Sequence, residues 1–158
     1  MTEFTHLDEE GRVRMVDVGE KEDTQRTAVA KGRVRMSEET LSRIMDTRIK
    51  KGNVLETARI AGIMAAKKTS DLIPMCHPLN ITHAQIDFSF DTVNFAVDME
   101  ARVSLAGKTG VEMEALTAVS VAGLTIYDMC KSHDKAMEIG RIHLVYKSGG
   151  KSGTYTAK

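Results

Sequence analysis

The chain has 158 residues, enough for one hydrophobic core in one domain. Its 22 basic and 22 acidic side chains cancel, so there is no overall basic field to hold nucleic acid or an anionic membrane. Any anion site must then be a local cluster. With no Trp, three Tyr and four Phe, the composition also argues against an exposed base-stacking platform. Cys76 and Cys130 lie far apart without C-x-x-C spacing, which speaks against a disulfide framework and a Cys-rich zinc site. The N-terminus is acidic, has no apolar run, and does not read as a signal peptide. No apolar stretch is long enough for a membrane span, so the expected compartment is the reducing cytoplasm.

In chain order, residues 1–14 read as a polar, flexible N-terminal arm, and residues 15–158 as a single catalytic domain. Gln25–Met36 alternates loosely enough for a strand. Ser37 is placed to cap a helix running to about Arg48, with Glu38 and Glu39 in the first turn where the macrodipole favours acids. Lys50-Lys51-Gly52 is a basic turn. Asn53 and Glu56 have capping-box spacing and open a second helix to about Thr69. Ile60, Ile63 and Met64 are expected on its apolar side, with Ala and Gly elsewhere permitting close packing. Leu72–Asn80 holds both prolines, Pro74 and Pro78, and must be a fixed loop. Thr82–Asp91 and Val93–Leu105 alternate as a hairpin, Val111–Lys131 is a long and largely buried helix, and Arg141–Lys147 is a last strand. This order predicts an α+β, ferredoxin-like split βαβ antiparallel sheet with helices on one face, plus an additional helix.

Several clusters have chemical potential. Gly107-Lys108-Thr109-Gly110 is not a P-loop: Arg102 stands where the Walker pattern needs glycine, and the preceding strand closes a hairpin. A plain glycine turn and an anion contact at a helix N-terminus both stay open. Gly149-Gly150-Lys151-Ser152 fails the same test, with Val145 in the glycine position. Cys76 and His77 are possible metal ligands, but adjacent residues seldom bind one ion together and only His83 lies near. His77 between two prolines suits hydrogen bonding to a substrate, or bonding to nearby backbone. Glu112 and Glu114 could simply complement the helix dipole; since i and i+2 point apart, one of them is expected in a pocket.

Asp128 and Lys131 share a helix face three residues apart, near the end of a segment almost free of charge. They are either a surface ion pair at a frayed end or an acid–base pair. The acid sits where the macrodipole disfavours it, and a partly buried lysine beside it would shift toward catalytic range.

Three blocks resemble a known family. The first is Lys51-Gly52-Asn53-Val54 with Thr57–Ile63 and Leu72-Ile73-Pro74-Met75-Cys76-His77-Pro78-Leu79. The second is Gly107–Thr117 through Leu124–Lys131, and the third is Lys147-Ser148-Gly149-Gly150-Lys151-Ser152-Gly153. Together they resemble the MoaC family of cyclic pyranopterin monophosphate synthases, from about Met15 to the end. Met75 stands where leucine is usual, a volume-conserving change. The stretch from Ile81 to Leu105 carries no motif.

The resemblance implies a phosphorus–oxygen lyase of molybdenum cofactor biosynthesis. Its substrate would be 3′,8-cyclo-7,8-dihydro-GTP, its products cyclic pyranopterin monophosphate and pyrophosphate. It implies no redox cofactor; Mg²⁺ assistance is possible but not implied by the sequence. It also implies a homohexamer built as a trimer of dimers, with active sites at a subunit interface. Asp128, Lys131 and Lys51 would handle protons. Arg26, Lys51, Lys131 and Lys147 would neutralise the triphosphate. Met75, Cys76 and His77 would line the pocket, and Met113 and Glu114, next to Glu112, would contact the purine-derived ring. Two other readings of the same residues are a non-catalytic nucleotide-binding module and a metal-dependent phosphohydrolase using Cys76, His77 and the acids.

Overall fold

The computed structural model describes residues 5–46 and 53–158. Four long strands, β1 (Thr24–Arg35), β2 (His83–Asp91), β3 (Ala96–Gly107) and β4 (Glu138–Ser148), join a two-residue edge strand, β5 (Tyr155–Thr156). The sheet order is β2-β3-β1-β4-β5 and every neighbouring pair is antiparallel. Strands β1 and β2 are thus separated by β3, the split arrangement expected from the order of elements. The helices are α1 (Glu38–Met45), α2 (Val54–Lys67), the short α3 (Thr69–Leu72) and α4 (Glu112–Cys130).

Helices α2 and α4 lie on one face of the sheet. That face of β1 is built from small residues: Ala28, Ala30, Gly32 and Val34 are all buried. A Cβ at Gly32 would come within 2.4 Å of a Val119 methyl group, so glycine here lets α4 lie close against the strand. Gly62 plays the same part between the helices, where a Cβ would stand 2.8 Å from the Ala118 carbonyl oxygen. The opposite face is polar. On it Arg33 of β1 clamps Asp98 of β3 and Asp91 at the end of β2, at 2.7 and 2.9 Å.

Local signals act much as their chemistry predicts. Ser37 accepts from Thr40 N–H, and Asn53 accepts from Glu56 N–H at 3.1 Å. Asp134 reinforces the first cap by accepting the Ser37 N–H at 2.8 Å. The end of the first predicted helix, beyond residue 46, and the basic turn with Lys51 lie outside the described residues.

Three expectations need correction. The buried side of α2 is Val54, Ala58, Gly62, Ala65 and Ala66, whereas Ile60 and Met64 are exposed. Helix α4 approaches closely at Gly62, so small residues face it there; Ile63, as expected, packs partly against the core, while Ile60 and Met64 turn outward. The second hairpin strand begins at Ala96 rather than residue 93, because Phe95 takes a positive φ of 51° in the connecting turn. Strand β4 begins three residues before Arg141, which itself has a φ of 52° beside an irregularity in pairing with β1.

Candidate active site

The end of the sheet where β1 starts, β3 ends and α4 begins holds two adjoining cavities. One, of about 210 Å³, is polar and faces Lys21, Arg26, Lys108 and Lys147, with Glu112 the carboxylate among them. The other, of about 400 Å³, is lined by Met75, Cys76, His77, Met113 and Glu114, and by residues of the segment before β1. Lys21, Thr109, Gly110 and Glu112 line both, so the two are parts of one recess.

The cationic part is assembled by backbone geometry. Arg26 near the start of β1 donates from Nε to the Gly107 carbonyl and from Nη2 to the Lys108 carbonyl, each at 3.2 Å. Its guanidinium also lies against the Gly149–Gly150 turn. A Cβ at Gly150 would stand 1.9 Å from the Arg26 Nη1, and both glycines have positive φ, 103° and 72°. Only glycine meets both demands. Lys147 donates to Glu112 Oε1 at 2.7 Å. Lys108 Nζ donates to the Gly19 carbonyl at 2.7 Å. Four cations around one carboxylate leave this cavity with positive charge to spare, suited to a polyphosphate.

The second part is drier and holds the most perturbed acid. Glu114 is 3% exposed, and burial pushes its carboxyl up to about 7, with the nearby Glu112 charge adding to the shift. The Cys76 thiol is pushed above its ordinary value, chiefly by burial and then by Glu114, so Cys76 is a neutral wall and not a thiolate nucleophile. His77 Nε2 lies 2.7 Å from the Val16 carbonyl oxygen. No group of three or more His, Cys, Asp or Glu side chains among the described residues is placed to hold a metal ion.

The recess thus gathers Arg26, Met75, Cys76, His77, Glu112, Met113, Glu114 and Lys147. Both glutamates reach it, contrary to the expectation of one, because the cavity wraps around the first turn of α4. Asp128 and Lys131 do not join them. They lie at the other end of α4, 14 and 17 residues beyond Glu114, which at 1.5 Å per residue is about 21 Å for Asp128 and about 26 Å for Lys131 along the axis. There they form a 2.5 Å ion pair, Lys131 half-exposed and Asp128 more so. The expected shift of Lys131 toward neutral range is also reversed in the single chain. The hydrogen bond and charge of Asp128 raise its pKa, and burial is too slight to oppose them. Lys108 belongs to the turn left open as an anion contact, whereas Lys21, Val16 and Val18 enter the recess without having been singled out. Lysines near glycines were visible in the sequence, but nothing in it indicated that residues 16–21 return to the α4 end of the sheet.

The family model that matches residues 15–150 is that of the MoaC family. This chain belongs to the MoaC family. Its relatives include the cyclic pyranopterin monophosphate synthase of Desulforapulum autotrophicum, 66% identical over 99% of this chain and 96% of that protein. Those of Desulfatibacillum aliphaticivorans and of a Roseiflexus species are each 63% identical over 98% of both chains. The MoaC match begins at Met15, so it takes in the segment that closes the recess as well as Arg26, the Glu112–Glu114 turn and Lys147.

Proposed function

We propose that this chain is a cyclic pyranopterin monophosphate synthase, a phosphorus–oxygen lyase of molybdenum cofactor biosynthesis acting in the cytoplasm. It would convert 3′,8-cyclo-7,8-dihydro-GTP to cyclic pyranopterin monophosphate and pyrophosphate. The observation that carries this reading is the two-part recess: a cation-rich wall adjoining a drier chamber with a near-neutral carboxylic acid. A triphosphate suits the first part. A guanine-derived ring, with its donor edge and its proton transfers, suits the second.

Arg26, Lys108 and Lys147 would hold the phosphates and stabilise the charge that accumulates as pyrophosphate leaves. Glu114, poised near neutrality, would pair with the ring's N–H edge and can give or take a proton there. Met75, Cys76 and Met113 would exclude water around the ring. The rearrangement needs no electron transfer, so no redox cofactor is required; a divalent cation, if it assists, would arrive on the substrate's phosphates.

Asp128 and Lys131 serve this chemistry only if a second copy brings them to the recess, because one helix holds them about 21 and about 26 Å from Glu114. We therefore read the site as shared between chains, in a homohexamer built as a trimer of dimers. Against a facing subunit the Lys131 amine would lose water, and its pKa would fall from the raised value it has beside Asp128 alone.

The direct test is incubation with the cyclised GTP intermediate. Equal amounts of pyrophosphate and pterin product are expected, with activity surviving exhaustive chelation. Tight binding without turnover would favour a non-catalytic nucleotide-binding module instead, and activity abolished by chelation a metal-dependent hydrolase. Sedimentation would give the assembly mass; a monomer at working concentration would contradict the shared site.

A further inference from the structure

The segment ahead of β1 crosses the recess and engages its side chains through backbone oxygens. The Val16 carbonyl meets His77 Nε2 at 2.7 Å, and the Gly19 carbonyl accepts from Lys108 Nζ at 2.7 Å. Around the second attachment the chain makes a tight local turn. Asp17 Oδ1 accepts the Gly19 N–H at 2.8 Å, and the Lys21 N–H donates to the Val18 carbonyl at 3.1 Å. Val16 and Val18 line the chamber that contains His77 and Glu114, and Lys21 lines both cavities. One backbone contact could merely satisfy a histidine. Two contacts, to side chains on different walls, with the intervening residues closing the chamber, describe a strap.

A carbonyl oxygen can only accept, so the contact at Val16 requires the hydrogen to sit on Nε2 of His77. The neutral ring is then confined to one tautomer, with Nδ1 its only acceptor. We propose that residues 16–21 are a strap belonging to the active site, in which the Val16 carbonyl positions His77 as its Nε2–H tautomer and leaves Nδ1 to accept a proton or a substrate hydrogen bond. Val16 is thereby a positioning residue acting through its main chain, and the strap must be in place for His77 to be correctly presented. This inference rests on the recess being the substrate site, but the tautomer can be observed without turnover.

Two measurements on the full-length protein test it. Nitrogen-15 NMR of labelled imidazole should show His77 as the Nε2–H tautomer; an Nδ1–H tautomer overturns the proposal. Replacing the Val16–Asp17 amide with an ester by semisynthesis weakens the Val16 carbonyl as acceptor while keeping every side chain. That variant should lose the tautomer preference, and kcat should fall by about tenfold, the effect of one lost positioning hydrogen bond, with KM little changed. A merely structural contact would leave kcat and its pH profile as in the wild type, which overturns the positioning role. If the wild type shows no turnover, the functional reading fails, and the ester variant's tautomer ratio still decides the contact.

Discussion

Glu114 makes the sharpest claim at the scale of single residues. Its folded pKa of about 7 lies above the ordinary 4.5, so between those values the native state holds a proton that the unfolded chain has released. Stability therefore falls as pH rises from about 4.5 through about 7, and levels off above it. At about 1.4 kcal/mol per pH unit, the whole effect is at most about 3–4 kcal/mol. Glu114→Gln should abolish this slope, so that the variant gains on the wild type as pH rises. Denaturant midpoints across pH 4.5–8 would show it, and parallel curves would mean that Glu114 ionises freely. Lys147 makes a different prediction. If it holds ground-state phosphate, Lys147→Met should raise KM roughly tenfold with a smaller effect on kcat. A loss confined to kcat would instead place it on the transition state.

The chemical type of these residues was legible before the structure, but their surroundings were not. The carboxylates of Glu112 and Glu114 are two residues apart, and spacing alone gave them opposite directions. The recess curves around the helix end and receives both, one beside lysine and one in a dry wall. The dry wall is shared with Cys76 and with Val16 and Val18 of the strap, far away in the chain.

Packing, more than pattern, decides the outcome at the scale of elements. Strands β1 to β4 and helices α1, α2 and α4 could be read from alternation, caps and breakers, and their order indicated the split antiparallel sheet. The orientation of α2 could not. A periodic reading turns Ile60 and Met64 inward because they are large and apolar, yet around Gly62 the neighbouring helix comes close enough that small residues face it. Gly62→Ala tests this. The added methyl group would meet Ile86 Cδ1 at 2.2 Å, which can move, and the Ala118 carbonyl at 2.8 Å, which cannot without shifting α4. The expected loss is about 1–3 kcal/mol despite alanine's better helix propensity. An unchanged or raised Tm would show that the helices are less tightly packed than described. Phe95 and Arg141, with positive φ, are places where the chain turns against residue preference, and there the predicted strand ends were displaced.

The division of the predicted site is the main result at the scale of the whole molecule. Local sequence could show that Asp128 and Lys131 form a pair, and the structure contains that pair. The distance from Glu114 was already implicit in the expected Val111–Lys131 helix, and α4, unbroken over 19 residues, keeps the two ends apart. Local sequence did not show that the N-terminal strap and the C-terminal Gly149–Gly150 turn close over the opposite end of that helix. On the proposed reading each chain carries two halves of the site, and activity would require a second chain to bring them together.

Mixing inactive variants tests that claim most directly. Asp128→Asn and Glu114→Ala should each remove turnover while preserving fold and assembly. Unfolded, mixed and refolded together, they should regain a substantial part of wild-type activity, because some interfaces then pair an intact Glu114 end with an intact Asp128–Lys131 end. If the mixed assembly stays as inactive as its parents, both halves must act within one chain, and the shared-site account is contradicted.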